Sequence, residues 1–109
     1  MTARSEAVVA TDRPERYGKQ LVAHLSRRNG GEWSEADQEG WIQFGSGRAE
    51  LRCGPDGLRL SVEAEPTDLP VLEDVVGRHL VRFGSRDELN VRWARSTGEV
   101  GTEQRNSGS

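Results

Sequence analysis

Apolar residues recur along this chain with two different periods. Leu58, Leu60, Val62 and Ala64 alternate with Arg59, Ser61, Glu63 and Glu65, which is the period of a strand with one buried face. Ala49, Leu51 and Cys53 alternate in the same way before them, and Trp41-Ile42-Gln43-Phe44-Gly45 opens the pattern. Ser46-Gly47 reads as a hairpin turn, and Gly54-Pro55-Asp56-Gly57 is the strongest turn signal in the chain. The spacing therefore predicts an antiparallel meander with one apolar and one polar face. With a two-residue turn at Ser46-Gly47, Trp41 opposes Arg52 and Gln43 opposes Glu50. A four-residue loop in the next hairpin sets Arg52 against Arg59.

The second period is helical. Tyr17, Leu21, Val22 and Leu25 follow it, as do Leu72, Val75, Val76, His79, Leu80 and Phe83. Asp12 with Glu15 fits a capping box ahead of the first helix, and Pro14 suits its first turn. Asn29-Gly30-Gly31 stops it. Thr67 or Asp68 caps the second helix, and Gly84 ends it. Ala7 to Ala10 reads as a first strand; Leu89, Val91 and Trp93 read as the last. The segment around Trp33 is a short strand leading into a loop. The order β-α-β-β-β-α-β predicts an α+β two-layer sandwich: an antiparallel sheet of about five strands with two helices on one face. Residues 7–95 form this single domain, residues 1–6 a flexible start and residues 96–109 a disordered tail. Whether the first and last strands flank the meander or pair with each other stays open.

A length of 109 residues suits one domain, and no run approaches the ~20 apolar residues of a membrane span. Fifteen basic against 18 acidic residues give a net charge of -3, which speaks against a dedicated nucleic-acid binder. Cys53 stands alone, so no intrachain disulfide forms, and its apolar strand position suits a core residue rather than a nucleophile. The N-terminus lacks the apolar stretch of a secretory leader, which leaves the cytoplasm as the expected location. A monomer or weak dimer is expected.

Three places carry candidate chemistry. His79 lies near the middle of the second helix's apolar stripe, and His24 at the edge of the first helix's stripe. Both helices cover the same sheet face, so the two imidazoles can meet. Imidazole is the commonest metal ligand and a frequent proton carrier. Glu73, Asp74 or Asp87 are the carboxylates available to complete such a site. The polar sheet face offers Trp41, Arg52 and Arg59 as a contact surface for an anion, an aromatic ligand or a protein. Arg78, Arg82 and Arg86, four residues apart, form a basic ridge on the second helix, an alternative interaction surface for an acidic partner or a carboxylate-rich ligand. No catalytic residue is assigned: the chain has no HExxH, no CxxC, no phosphate loop and no nucleophile elbow. An enzyme reading would need His24 or His79 as a general base beside a pocket.

ATDRPERYGKQLVAHLSRR, GWIQFGSGRAELRCGPDGLRLSVEAE and LEDVVGRHLVRFGSRDELNVRW together resemble the bacterial domain of unknown function family 2218 over residues 7–93. The resemblance carries no established activity. Domains similar to it occur alone and joined to siderophore-interacting flavin reductases. It therefore implies an accessory module in iron handling, with iron, haem or a ferric siderophore as ligand near His24 and His79. A siderophore-interacting reductase is the partner it implies. Gly18 departs from the pattern, standing where a larger apolar side chain is expected.

Overall fold

A computed structural model describes residues 2–84 and 89–105. Among these described residues nine elements follow one another: β1 Ala3–Ala10, α1 Pro14–Asn29, β2 Gly31–Ser34, β3 Glu39–Phe44, β4 Gly47–Gly54, β5 Gly57–Ala64, α2 Leu69–Phe83, β6 Asn90–Arg95 and β7 Val100–Arg105. The strands make one antiparallel sheet in the order β2-β3-β4-β5-β1-β6-β7. Both helices pack on one face of it. Val9, Ile42, Leu51, Leu58, Val62, Val91 and Trp93 on that face are buried against Leu21, Val22, Leu72, Val76 and Leu80 of the helices. The α+β two-layer architecture is as expected, with seven strands among the described residues rather than about five.

The two strands beyond five are β2, the short strand expected around Trp33, and β7, and the expected first strand is longer than its apolar run. β1 begins at Ala3, inside the segment expected to be flexible. Ala3, Ser5, Ala7 and Val9 alternate inward, and β1 is hydrogen-bonded on both sides, to β5 along its whole length and to β6. Its place in the middle of the sheet answers the question of strand order. β7 lies in the segment expected to be a disordered tail. Its inward residues are polar and hydrogen-bonded, so they leave no apolar alternation to read. Residues 106–109 of that expected tail lie outside the described residues.

The β3–β4 turn is one residue earlier than expected. Gly45 and Ser46 form it, and Gly47 already pairs with Phe44. A Cβ at Gly47 would stand 2.3 Å from the Glu63 carbonyl oxygen, so the strand comes too close to β5 there for any larger residue. The register shifts by two: Trp41 opposes Glu50, Gln43 opposes Arg48, and Glu39 opposes Arg52. The next hairpin matches expectation, with Arg52 opposite Arg59. Its Gly57 has φ 141°, a conformation L side chains rarely adopt.

Helix α1 spans the expected residues, but the expected capping box does not form. Arg13 is the N-cap and makes no side-chain cap. Asp68 is the N-cap of α2, likewise without a side-chain bond. Gly18 has a clear packing reason. A Cβ there would meet the Trp33 ring at 2.8 Å, and one at Gly40 would meet the same ring at 2.7 Å. The indole is held between α1 and β3 by the absence of two side chains.

Candidate functional site

The two helices lie side by side on the sheet, and His24 of α1 meets His79 of α2. Their ring centroids are 5.1 Å apart with planes inclined by 43°. Phe83, one turn beyond His79, stands edge-on to His24 at 5.4 Å. His24 is exposed and His79 half-buried. The His79 Nδ1 lies 2.6 Å from the Val75 carbonyl oxygen. A carbonyl has no proton to give, so Nδ1–H is the donor and the neutral ring keeps its lone pair on Nε2. A hydrogen bond of this kind orients ligating histidines in metal sites.

Two of the carboxylates that the sequence offered to this pair, Glu73 and Asp74, are engaged elsewhere. Glu73 is fully buried in a bidentate ion pair with Arg95, both contacts at 3.0 Å. Asp74 pairs with Arg78 at 3.7 Å. Asp87 and Arg86 lie outside the described residues. Among the described residues, no three His, Cys, Asp or Glu side chains are grouped to hold a metal.

One basic feature escaped the pattern reading. Each histidine opens the same four-residue string, His24-Leu25-Ser26-Arg27 in α1 and His79-Leu80-Val81-Arg82 in α2. Both leucines are buried, and both arginines are exposed. Residues three apart on a helix are neighbours, so each imidazole has a guanidinium one turn along. Among the described residues, neither Arg27 nor Arg82 enters an ion pair. The repetition of His-Leu-x-Arg was available in the sequence, but only the contact between the helices gives it meaning.

Trp41, Arg52 and Arg59 gather on the opposite side of the molecule. They line a concavity of about 460 Å³ on the uncovered sheet face, together with Arg4, Glu6, Glu32, Glu39, Arg48 and Glu50. The expected contact of Trp41 with Arg52 is replaced by one with Arg48, whose guanidinium carbon lies 4.8 Å from the ring centroid. Arg52 pairs instead with its cross-strand neighbour Glu39. Arg4 and Glu6 join this surface because β1 is central. Arg78 and Arg82 belong to the helix layer and share no surface with it.

Cys53 is half-buried against the core. Burial, with Glu15 adding to it, pushes its thiol above the ordinary value. The thiolate is disfavoured, as suits a packing residue. No helix of the described residues is long and apolar enough to cross a membrane.

The model of a family of uncharacterised proteins conserved in bacteria, domain of unknown function 2218, matches residues 6–94. The chain belongs to this family. No curated protein matches it. It is similar to the NMR structure of PA4090 from Pseudomonas aeruginosa, with 24% identity and a TM-score of 0.62. That match covers 91% of this chain and 99% of the other. The likeness concerns the fold; membership of the family assigns no activity to the histidine pair.

Proposed function

We propose that this chain is a small metal-binding accessory module, with His24 and His79 as the protein's ligands. The observation that carries the reading is the meeting of the two rings at 5.1 Å across two helices, with His79 already oriented by Val75. Two imidazoles suit iron, zinc, copper or nickel. The siderophore association implied by the family resemblance makes iron the biological metal of this proposal. It makes a siderophore-interacting reductase the partner and the cytoplasm the setting. An exposed His24 beside a half-buried His79 supports a site that exchanges its ligand with solvent.

Long-range proton–nitrogen NMR of the two imidazoles tests this. The spectrum is recorded without ligand, then with ferrous or zinc ion, haemin and a ferric siderophore. Both rings are expected to shift or broaden together at low stoichiometry with at least one of these. Silence of both rings overturns the reading, as does a His24→Ala/His79→Ala double variant that binds as tightly as wild type.

A second reading is a protein-interaction module that uses the uncovered sheet face. The concavity around Trp41 and Arg59 favours it. Its partner surface would carry both charges, to match the interleaved arginines and glutamates. A complex insensitive to both Trp41→Ala and Arg59→Glu removes this alternative.

A further inference from the structure

We infer that the metal reaches this site already chelated: His24 and His79 take two adjacent positions on the ion, while an anionic ligand from outside holds the others. This rests on the metal-binding reading and narrows it to a class of ligand. The first argument is geometric. A metal–imidazole bond of ~2.0–2.1 Å places each ring centre about 3.2 Å from the ion. With a nitrogen of each ring turned to one ion, centres 5.1 Å apart subtend about 105° at the metal, which corresponds to neighbouring positions. Ligands on opposite sides, as for an axially bound haem, would need about 6.4 Å.

The second argument is the count of donors. A closed protein site uses four ligands. The described residues supply two histidines, with no group of three ligating side chains. Glu73 and Asp74 are committed to Arg95 and Arg78. Among the described residues nothing fills the other two or more positions on the ion, and we assign them to an external ligand.

The third argument is charge. Arg27 and Arg82 stand one turn beyond the two histidines, exposed and outside any ion pair among the described residues. Cations flanking a cationic metal oppose a bare ion, whereas they attract a chelate rich in carboxylate or other anionic oxygens. A chelator that fills all six positions leaves no place for imidazole. The fitting class is therefore an anionic chelate with two neighbouring positions free.

Nickel with three different shells tests this: the aquo ion, the nitrilotriacetate complex with two free adjacent positions, and the ethylenediaminetetraacetate complex with none. Isothermal titration gives affinity, and paramagnetic broadening of the two imidazoles identifies the site. The nitrilotriacetate complex is expected to bind one to one, broaden both rings and bind at least as tightly as the aquo ion. His24→Ala or His79→Ala should weaken it more than tenfold. Arg27→Ala/Arg82→Ala should weaken it several-fold while leaving aquo-ion binding unchanged or stronger. Binding of the aquo ion without the nitrilotriacetate complex overturns this inference but leaves the metal-binding reading standing. Equal binding of the ethylenediaminetetraacetate complex overturns the coordination argument in favour of simple charge attraction. Failure of all three to bind removes both readings.

Discussion

Two arginine–glutamate pairs in this molecule share a nitrogen–oxygen distance of 3.0 Å, and their surroundings make them different interactions. Arg95 and Glu73 join β6 to α2, with side chains 15% and 0% exposed. Arg52 and Glu39 face each other across β4 and β3, at 70% and 40% exposure. The Glu73 carboxylate accepts two bonds from Arg95, one from the Thr102 backbone N–H and one from the Thr102 hydroxyl. Beyond Thr102, Gln104 Nε2 donates to its Oγ1, and Trp93 Nε1 donates to Gln104 Oε1. This network binds β7 to the rest of the fold. The open-face pair is reached by solvent, Arg52 more than Glu39. A short distance is thus a poor guide to strength; burial and the completeness of the hydrogen bonding decide it.

The sharpest way to break the contrast is Glu73→Ala. It leaves the Arg95 guanidinium largely buried without its partner, and it strips two donors on Thr102 of their acceptor. Removing one partner of a buried pair costs about 3–5 kcal/mol. Chemical denaturation should show a loss in that range, and amide exchange should show β7 losing protection first. A loss below about 1 kcal/mol would mean that the buried pair behaves as the exposed one does.

Acid should reach the same pair more gently. Burial pushes the Glu73 carboxyl up, but the Arg95 guanidinium, the nearby Ser5 hydroxyl and the Thr102 donors outweigh it and hold it below the ordinary 4.5. A carboxyl whose folded value is depressed binds its proton more readily in the unfolded chain. Its contribution is complete above about 4.5 and is lost as pH falls through the lower folded value. The stability of wild type should therefore fall more steeply below pH 4.5 than that of Glu73→Gln. Parallel curves would show that this carboxyl does not control the acid limb.

Gly77→Ala tests how tightly α2 sits on β7. Its new Cβ would lie 2.0 Å from the Gln104 Oε1 that accepts the Trp93 indole proton. Either the helix lifts or Gln104 turns away, and overpacking of this kind costs about 1–3 kcal/mol. The indole fluorescence of Trp93 should change with it. An Ala variant as stable as wild type, with unchanged fluorescence, would mean that the seam yields freely.

These regions also differ in how far the sequence foretold them. The meander and both helices were legible because their buried positions are apolar and periodic. The nearness of His24 and His79 followed from two stripes that must cover one sheet face. β7 was not legible, because Thr102 and Gln104 pack as polar residues whose partners lie in distant elements. The one readable trace was Glu73, a charge at the i+4 position from Leu69 within an apolar stripe, which calls for a buried partner. The central place of β1 depends on pairing with β5 and β6, and no local pattern encodes it. The partner of Trp41 was missed because a turn moved by one residue shifts the register by two, keeping every side chain on its face while changing its neighbour. Arg27 went unnoticed because it belongs to no stripe and matters only beside His24.

The smallest effect belongs to the exposed pair, and it completes the comparison. A double-mutant cycle over Arg52→Ala and Glu39→Ala should give a coupling of about 0–1 kcal/mol that shrinks further in added salt. Exposure to water keeps the coupling small, while the two single variants differ because two opposing contributions act on Arg52. The bond at 3.0 Å favours the pair. Arg59 lies directly opposite Arg52 on β5, and like charges so placed repel. Arg52→Ala removes that repulsion as well as the attraction, so the single variant should lose less than Glu39→Ala, which removes the attraction alone. Repeating the cycle in an Arg59→Ala background should raise the cost of Arg52→Ala, because that substitution then relieves no repulsion. An unchanged cost in that background would show that Arg52 and Arg59 do not sense each other across the open face.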